Sequence, residues 1–248
     1  MPAVANADEA TDRPALTIRA RQAVHGAATR GKGDDTLASA FQQEQAVGPL
    51  VLADITGYTA FLQDVAYAHR DNAFANGQVP AAYALMSKLL DGIVARLAPP
   101  LTLAKLEGDA VFAYAPSMTD IPQGKAFLDL VRDCYSGFRA QLGEVGVVWT
   151  CQCDACSRSA GLELKFVVHG GPFVIGTMAG GRELIGPEVI MAHRLLKSSA
   201  ADAVGVGAYI LVTDSAQEML QVGPSDAPTI TETYEHYPPV RASVVALP

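Results

Sequence analysis

The chain is predicted to adopt an α+β fold, with an antiparallel-rich sheet and helices packed on one face. Three observations carry that expectation. Short apolar runs of strand length recur between residues 50 and 246. Stretches with apolar side chains at helical spacing lie between them. The segment Leu106-Glu107-Gly108-Asp109 separates two neighbouring runs as a hairpin connection would.

The elements follow in order. Residues 50–54 are an apolar run ending in a carboxylate, as a buried strand would be. Gly57 breaks it, and residues 58–69 can be helical. Residues 76–80 read as a loop. From residue 82 to 97 the pairs Leu85/Met86, Leu89/Leu90 and Ile93/Val94, then Leu97, repeat at helical spacing, so an amphipathic helix should pack on the sheet. Pro99-Pro100 stops it. Residues 101–105 and 110–114 are the hairpin strands. A third helix carries Phe127, Val131, Cys134, Phe138 and Leu142 on one stripe. Residues 145–150, 162–169 and 173–178 read as strands. Gly186-Pro187 opens a further helix to about residue 200, because proline suits a first helical turn. Residues 209–213 and 240–246 are closing strands.

Half of the 248 residues are hydrophobic and 18% are charged, enough for one substantial core. Residues 1–46 hold few large apolar side chains and cannot offset their ordering entropy. They are expected to be a flexible N-terminal arm, with some helix around residues 37–45, ahead of one domain over residues 47–248. A net charge of −8 argues against a nucleic-acid partner bound through its phosphates. A small anionic substrate fits only if metal ions supply local positive charge. No run of about 18 apolar residues occurs, so no membrane span is expected. The N-terminus lacks the compact apolar segment of a secretory signal. Three of the four cysteines are crowded together, unlike a spread disulfide framework, and a reducing cytoplasm is the expected location.

Two carboxylates stand out. Asp54 ends a strand and precedes Ile55-Thr56-Gly57-Tyr58-Thr59 at a helix start, where backbone N–H groups can meet a phosphate. Asp109 follows Gly108 at the hairpin. If their strands are neighbours, both carboxylates reach one edge of the sheet, where hard divalent cations could join them to substrate phosphates. Read from spacing alone, a turn aspartate for Asp109 and a helix cap for Asp54 are the favoured account.

Leu52-Ala53-Asp54-Ile55-Thr56-Gly57-Tyr58-Thr59 closely resembles the opening motif of class III nucleotide cyclases. Lys105-Leu106-Glu107-Gly108-Asp109 resembles their second motif, and Val168-His169-Gly170-Gly171-Pro172 with Gly176 is similar to the strand-turn-strand that follows. Ile185-Gly186, Val189, Ala192 and Arg194-Leu195 match the spacing of the family's late helix, and residues 186–197 resemble a bacterial branch of cyclase-like proteins of unknown function. These segments cover roughly residues 50–200.

The resemblance implies a ferredoxin-like cyclase fold and a set of roles. Asp54 and Asp109, with the Ile55 backbone, match the binding site for two Mg2+ or Mn2+ ions. Lys105 and Glu183 match the base-reading positions, with adenine as the expected base. Ile55, Thr56, Gly57, Tyr58 and Thr59 match the loop beside the phosphates. Arg194 matches the arginine that steadies phosphate charge during ring closure. The implied protein is a homodimer whose two sites are each shared between subunits, converting a nucleoside triphosphate, ATP by the lysine, to a cyclic nucleotide and pyrophosphate. Two positions depart from the family. Ile190 stands where an asparagine touches the ribose, and Glu183 stands where an aspartate is common. A nucleotide-binding module that has lost turnover is the alternative, and a zinc-stabilised interaction domain is a third reading.

That third reading rests on Cys151, Cys153 and Cys156, three thiols within six residues. They suit a structural Zn2+, which normally takes four ligands, or they are ordinary reduced cysteines in a loop. Cys134 lies on an apolar stripe and His169 belongs to the strand-turn motif, so neither is taken as the fourth ligand. His69, His193 and His236 receive no role.

Overall fold

The computed structural model describes residues 43–148, 151, 153–223 and 226–248, with side chains undescribed at 145–148. The expected arm at residues 1–46 therefore lies almost wholly outside the described residues. Its last four are strand: β1 runs over Gln43–Thr56, well before the run at residues 50–54 that the apolar pattern marks. The early part forms because β4 (Glu163–Met178) continues beside it, pairing Gln43 with Gly176 and Ala46 with Phe173. A long partner strand supplies ladder bonds that local composition does not advertise.

Helix α1 covers Tyr58–His69 and α2 covers Ala81–Leu97, as the spacing predicts. The hairpin strands are β2 (Thr102–Glu107) and β3 (Ala110–Tyr114). Their turn is Gly108-Asp109, shorter than the four-residue connection expected, and Gly108 adopts a left-handed φ of 66° that a side chain would strain. Helix α3 spans Lys125–Val148, so residues 145–148 are helix and not the strand suggested by their valines. A helix already nucleated at Lys125 adds residues cheaply, and that overrides a weak β preference.

Glycines 170 and 171 do not make the expected turn between two strands. They lie inside the continuous β4, paired with Pro49 and Gly48 of β1. Their smallness makes room: a Cβ at Gly171 would sit 2.6 Å from Glu188 Cγ, and one at Gly170 would sit 3.1 Å from the Ala216 backbone. Strand β5 (Gly181–Ile185) folds back on β4. A short helix α4 (Asp154–Ser157) precedes β4; helix α5 covers Pro187–Leu195 and stops short of residue 200, with α6 (Ala200–Val204) following after a break. Strand β6 (Tyr209–Thr213), helix α7 (Asp214–Leu220), and strands β7 (Thr229–Glu232) and β8 (Val240–Ala246) complete the chain.

The sheet order is β2-β3-β1-β4-β6-β8-β7, with β5 added to β4. The pairings are antiparallel except β4 with β6. Alternation along the strands builds two apolar layers. Val51, Ala53, Ile55, Phe166 and Val168 face the long helices α2 and α3, with Phe127, Val131, Cys134, Phe138 and Leu142 all buried there. Leu50, Leu52, Phe112, Val167 and Leu211 face the other way, toward the short α5 and its Val189, Met191, Ala192 and Leu195. The long helices thus share one face, as expected. The short α5 partly covers the second face, and the candidate site lies there.

Candidate functional site

The register builds a row of residues across four strands. Glu107 on β2 pairs with Ala110 on β3, Ala110 with Asp54 on β1, and Asp54 with Lys165 on β4. Directly paired residues share a face, and successive strands lie about 4.8 Å apart. Asp54 continues the Leu50/Leu52 alternation, so the row opens toward α5.

Asp109 immediately precedes Ala110, and its carbonyl accepts the Ile55 N–H at 3.2 Å. The two aspartates are thereby brought to one edge of the sheet, at the end of β1 and the start of β3. Burial, and then the Asp54 charge beside it, raises the Asp109 carboxyl above its ordinary value, against a smaller opposing pull from Lys165. On β6, burial and then Asp54 push the Tyr209 phenol up to about 12. Lys165 Nζ lies 3.0 Å from Asp54 Oδ2 and also donates to the Leu196 carbonyl at 3.2 Å. Sequence reasoning passed over Lys165. Its signal was a cation set directly before the apolar run Phe166-Val167-Val168.

Gly57 turns the chain from β1 into α1 with a left-handed φ of 89°. No side chain caps that helix start, so the N–H groups of its first turn stay available to an anion. The Thr56 hydroxyl donates to the Gly207 carbonyl at 3.4 Å. Tyr58 lies close enough to Asp109 that burial, with this carboxylate second, raises its phenol. Ile55 is buried in the core.

A second polar group occupies the same face beside β2. Lys105 Nζ lies 3.0 Å from Glu183 Oε2 and 3.1 Å from Glu107 Oε1. The hydrogen bond that Lys105 donates to Glu183 leads in holding the ammonium above its usual range. Glu107 also meets His193 Nε2 at 2.7 Å, and His193 Nδ1 donates to the Val189 carbonyl at 2.7 Å. His193, given no role from its helical angle, thus anchors α5 to the row at Glu107, while Lys165 holds the segment after α5 through Leu196. The side chains at both ends of the row therefore grip the α5 region.

Arg194 points elsewhere. Its guanidinium lies over the rings of Tyr237 at 5.0 Å and Tyr234 at 5.7 Å, and Nη1 donates to the Glu235 carbonyl at 3.2 Å. Among the described residues it makes no ion pair with Asp54 or Asp109. Ile190 is 51% exposed on α5.

The donor set suits hard cations at Asp54 and Asp109: two carboxylates, with the charge of Asp54 acting on Asp109, whose repulsion a divalent ion would relieve. A separate set suits a soft one. Cys151, Cys153 and Cys156 are joined by His69, and the four ligand atoms lie within 4.8 Å of one another. His69 ends α1, and no sequence spacing could have linked it to the cysteines. Cys134 is buried elsewhere, near the Ile93 carbonyl.

Comparison with known proteins bears on the fold. The family described as "Protein of unknown function (DUF2652)" matches residues 86–203, just under half of the chain. An uncharacterized protein of Mycobacterium tuberculosis is 31% identical over 135 residues, 54% of this chain, and the match spans only 60% of that relative's length. The adenylyl cyclase CyaB from P. aeruginosa superposes with a TM-score of 0.58 at 15% identity, covering 83% of this chain and 96% of that one. The guanylyl cyclase Cya2 superposes at 0.54 and 14% identity, covering 82% and 93%. This chain has the fold of nucleotide cyclase catalytic domains.

Proposed function

We propose that this chain is a nucleotide cyclase acting on a nucleoside triphosphate, with ATP as the favoured substrate. One observation carries the reading: Asp54 and Asp109, 55 positions apart in sequence, stand at the same end of the β1–β3 ladder beside an uncapped helix start. Carboxylates so placed would hold two Mg2+ or Mn2+ ions, which when bound would supply Lewis acidity and neutralise phosphate charge. Ile55, through its backbone, is the proposed third contributor to that site.

The chain's own residues do the rest. The N–H groups around Thr56, Gly57, Tyr58 and Thr59 would bind the phosphates. Lys105 and Glu183, already hydrogen-bonded to each other, offer a donor and an acceptor that match the edge of an adenine. Arg194 would place its guanidinium against charge that grows on the phosphate as the ribose 3′-hydroxyl attacks and pyrophosphate departs. Because Arg194 engages Tyr234 and Tyr237 and not the aspartate pair of its own chain, the reading calls for a homodimer, with each site drawing on both subunits. A cytoplasmic setting fits both the triphosphate and the free thiols.

The test is direct. Purified protein with Mn2+ and each of ATP, GTP, CTP and UTP is examined by mass spectrometry for cyclic product. Cyclic AMP formed by the native protein and lost in Asp54→Ala supports the reading. A second reading, a nucleotide-binding module without turnover, is favoured by the exposed Ile190 and by Lys165 already paired with Asp54. It predicts metal-dependent thermal stabilisation by ATP and no product.

A further inference from the structure

We propose that His69, Cys151, Cys153 and Cys156 bind one structural Zn2+ per chain, which fastens the end of α1 to the connection between α3 and β4. The case begins with distances. His69 Nε2 lies 3.3 Å from Cys156 Sγ, 3.4 Å from Cys153 Sγ and 3.6 Å from Cys151 Sγ. A tetrahedral zinc with bonds of about 2.3 Å to sulfur and about 2.05 Å to nitrogen separates nitrogen from sulfur by about 3.6 Å. The three observed separations lie close to that edge length.

Hydrogen bonding does not explain this arrangement. One imidazole nitrogen offers a single donor or a single acceptor along its axis, so it satisfies one sulfur and leaves two. A shared cation satisfies all three. The cysteines are free thiols rather than a disulfide pair with a spectator.

The local backbone is also arranged for a metal. Cys153 caps the four-residue helix α4 (Asp154–Ser157), and the Cys156 N–H donates to Cys153 Sγ at 3.4 Å. An N–H directed at sulfur stabilises a thiolate ligand. Between Cys153 and Cys156 stand two residues, a spacing found in structural zinc sites. Three thiolates with an imidazole favour zinc over the magnesium or manganese proposed for the aspartates. All four positions are taken by protein, so the site is closed and structural.

The mechanical consequence is specific. Helix α1 begins with Tyr58, near Asp109, and ends with His69 in this cluster. An Arg158–Asp64 ion pair ties the same connection to α1 at a second point. Zinc would therefore hold the far end of the helix whose near end borders the aspartate pair.

The experiment measures metal in the full-length chain, prepared without chelator, by elemental mass spectrometry. One zinc per chain is expected, released in proportion as a mercurial titrates the thiols. His69→Ala and Cys153→Ser should each lose most of it, whereas Cys134→Ser should retain it. His69→Cys should recover it, which separates ligation from folding. Cobalt substituted for zinc should show thiolate-to-metal charge-transfer absorption. Native protein with far less than one zinc per chain, a disulfide within the cluster of freshly prepared protein, or zinc content unchanged in His69→Ala overturns the proposal. None of these readings depends on nucleotide turnover, so failure here and failure of the cyclase reading are distinguishable.

Discussion

Lys165 and Asp54 face each other across the β4–β1 ladder, Nζ to Oδ2 at 3.0 Å, with side chains only 18% and 16% exposed. The cation lets two neighbouring carboxylates coexist in the metal-free fold. It also competes with any ion that binds Asp54. Removing one partner of a largely buried pair leaves the other charge uncompensated, at about 3 kcal/mol. Lys165→Met should therefore lower Tm by roughly 6–12 °C. Added Mn2+ should restore more of that loss in the variant than it adds to the native protein, as thermal denaturation with and without metal will show.

Asp109 gives a prediction in pH. Burial first, and Asp54 second, raise its folded-state pKa, so the folded chain holds this proton more tightly than the unfolded chain does. The group costs nothing below the ordinary carboxylate range, and the cost grows as pH climbs through the raised value. Asp109→Asn should stabilise the metal-free protein at neutral pH by a few degrees and leave it unchanged in acid. It should also abolish stabilisation by Mn2+. Melting curves from pH 3 to 8 distinguish these outcomes.

Ile190 offers a test by gain. It is 51% exposed on α5, so a polar replacement disturbs no core. If an asparagine here contacts the ribose, Ile190→Asn should raise cyclic-product formation by about 10²–10³, the value of one well-placed transition-state hydrogen bond. Tm should move little. Turnover measured beside the native protein decides it.

Two glycines predict opposite signs. A Cβ on Gly48 would lie 1.9 Å from the Ala115 carbonyl oxygen, which is backbone and cannot rotate away. Gly48→Ala should cost about 1–3 kcal/mol. In α3, a Cβ added at Gly143 would meet nothing within 4 Å among the described residues, and Gly143→Ala should gain roughly 0.5–1 kcal/mol from helix propensity. Chemical denaturation of both variants checks the pair.

These cases also show what could be read without coordinates. The apolar stripe Phe127–Val131–Cys134–Phe138–Leu142 and the helix at residues 58–69 declared themselves, because burial imposes a period on the sequence. The aspartates were visible as residues, and their meeting required only that β1 and β3 be neighbours. What failed was local reasoning about non-local pairing. Residues 43–46 are strand because β4 runs beside them, and Gly170-Gly171 read as a turn when their task is clearance for Glu188 and α7. His69 and Lys165 were illegible for the same reason: Cys151 lies 82 positions from His69, Asp54 lies still farther from Lys165, and no periodicity reaches across such distances.

The most direct test is a crystal structure with Mn2+ and a non-hydrolysable ATP analogue, with anomalous scattering locating manganese. Two manganese peaks, each bonded to Asp54 and Asp109, with Lys165 withdrawn from Asp54, are the expected result. Manganese bound away from both aspartates, or nucleotide seated with neither carboxylate near its phosphates, would contradict the account.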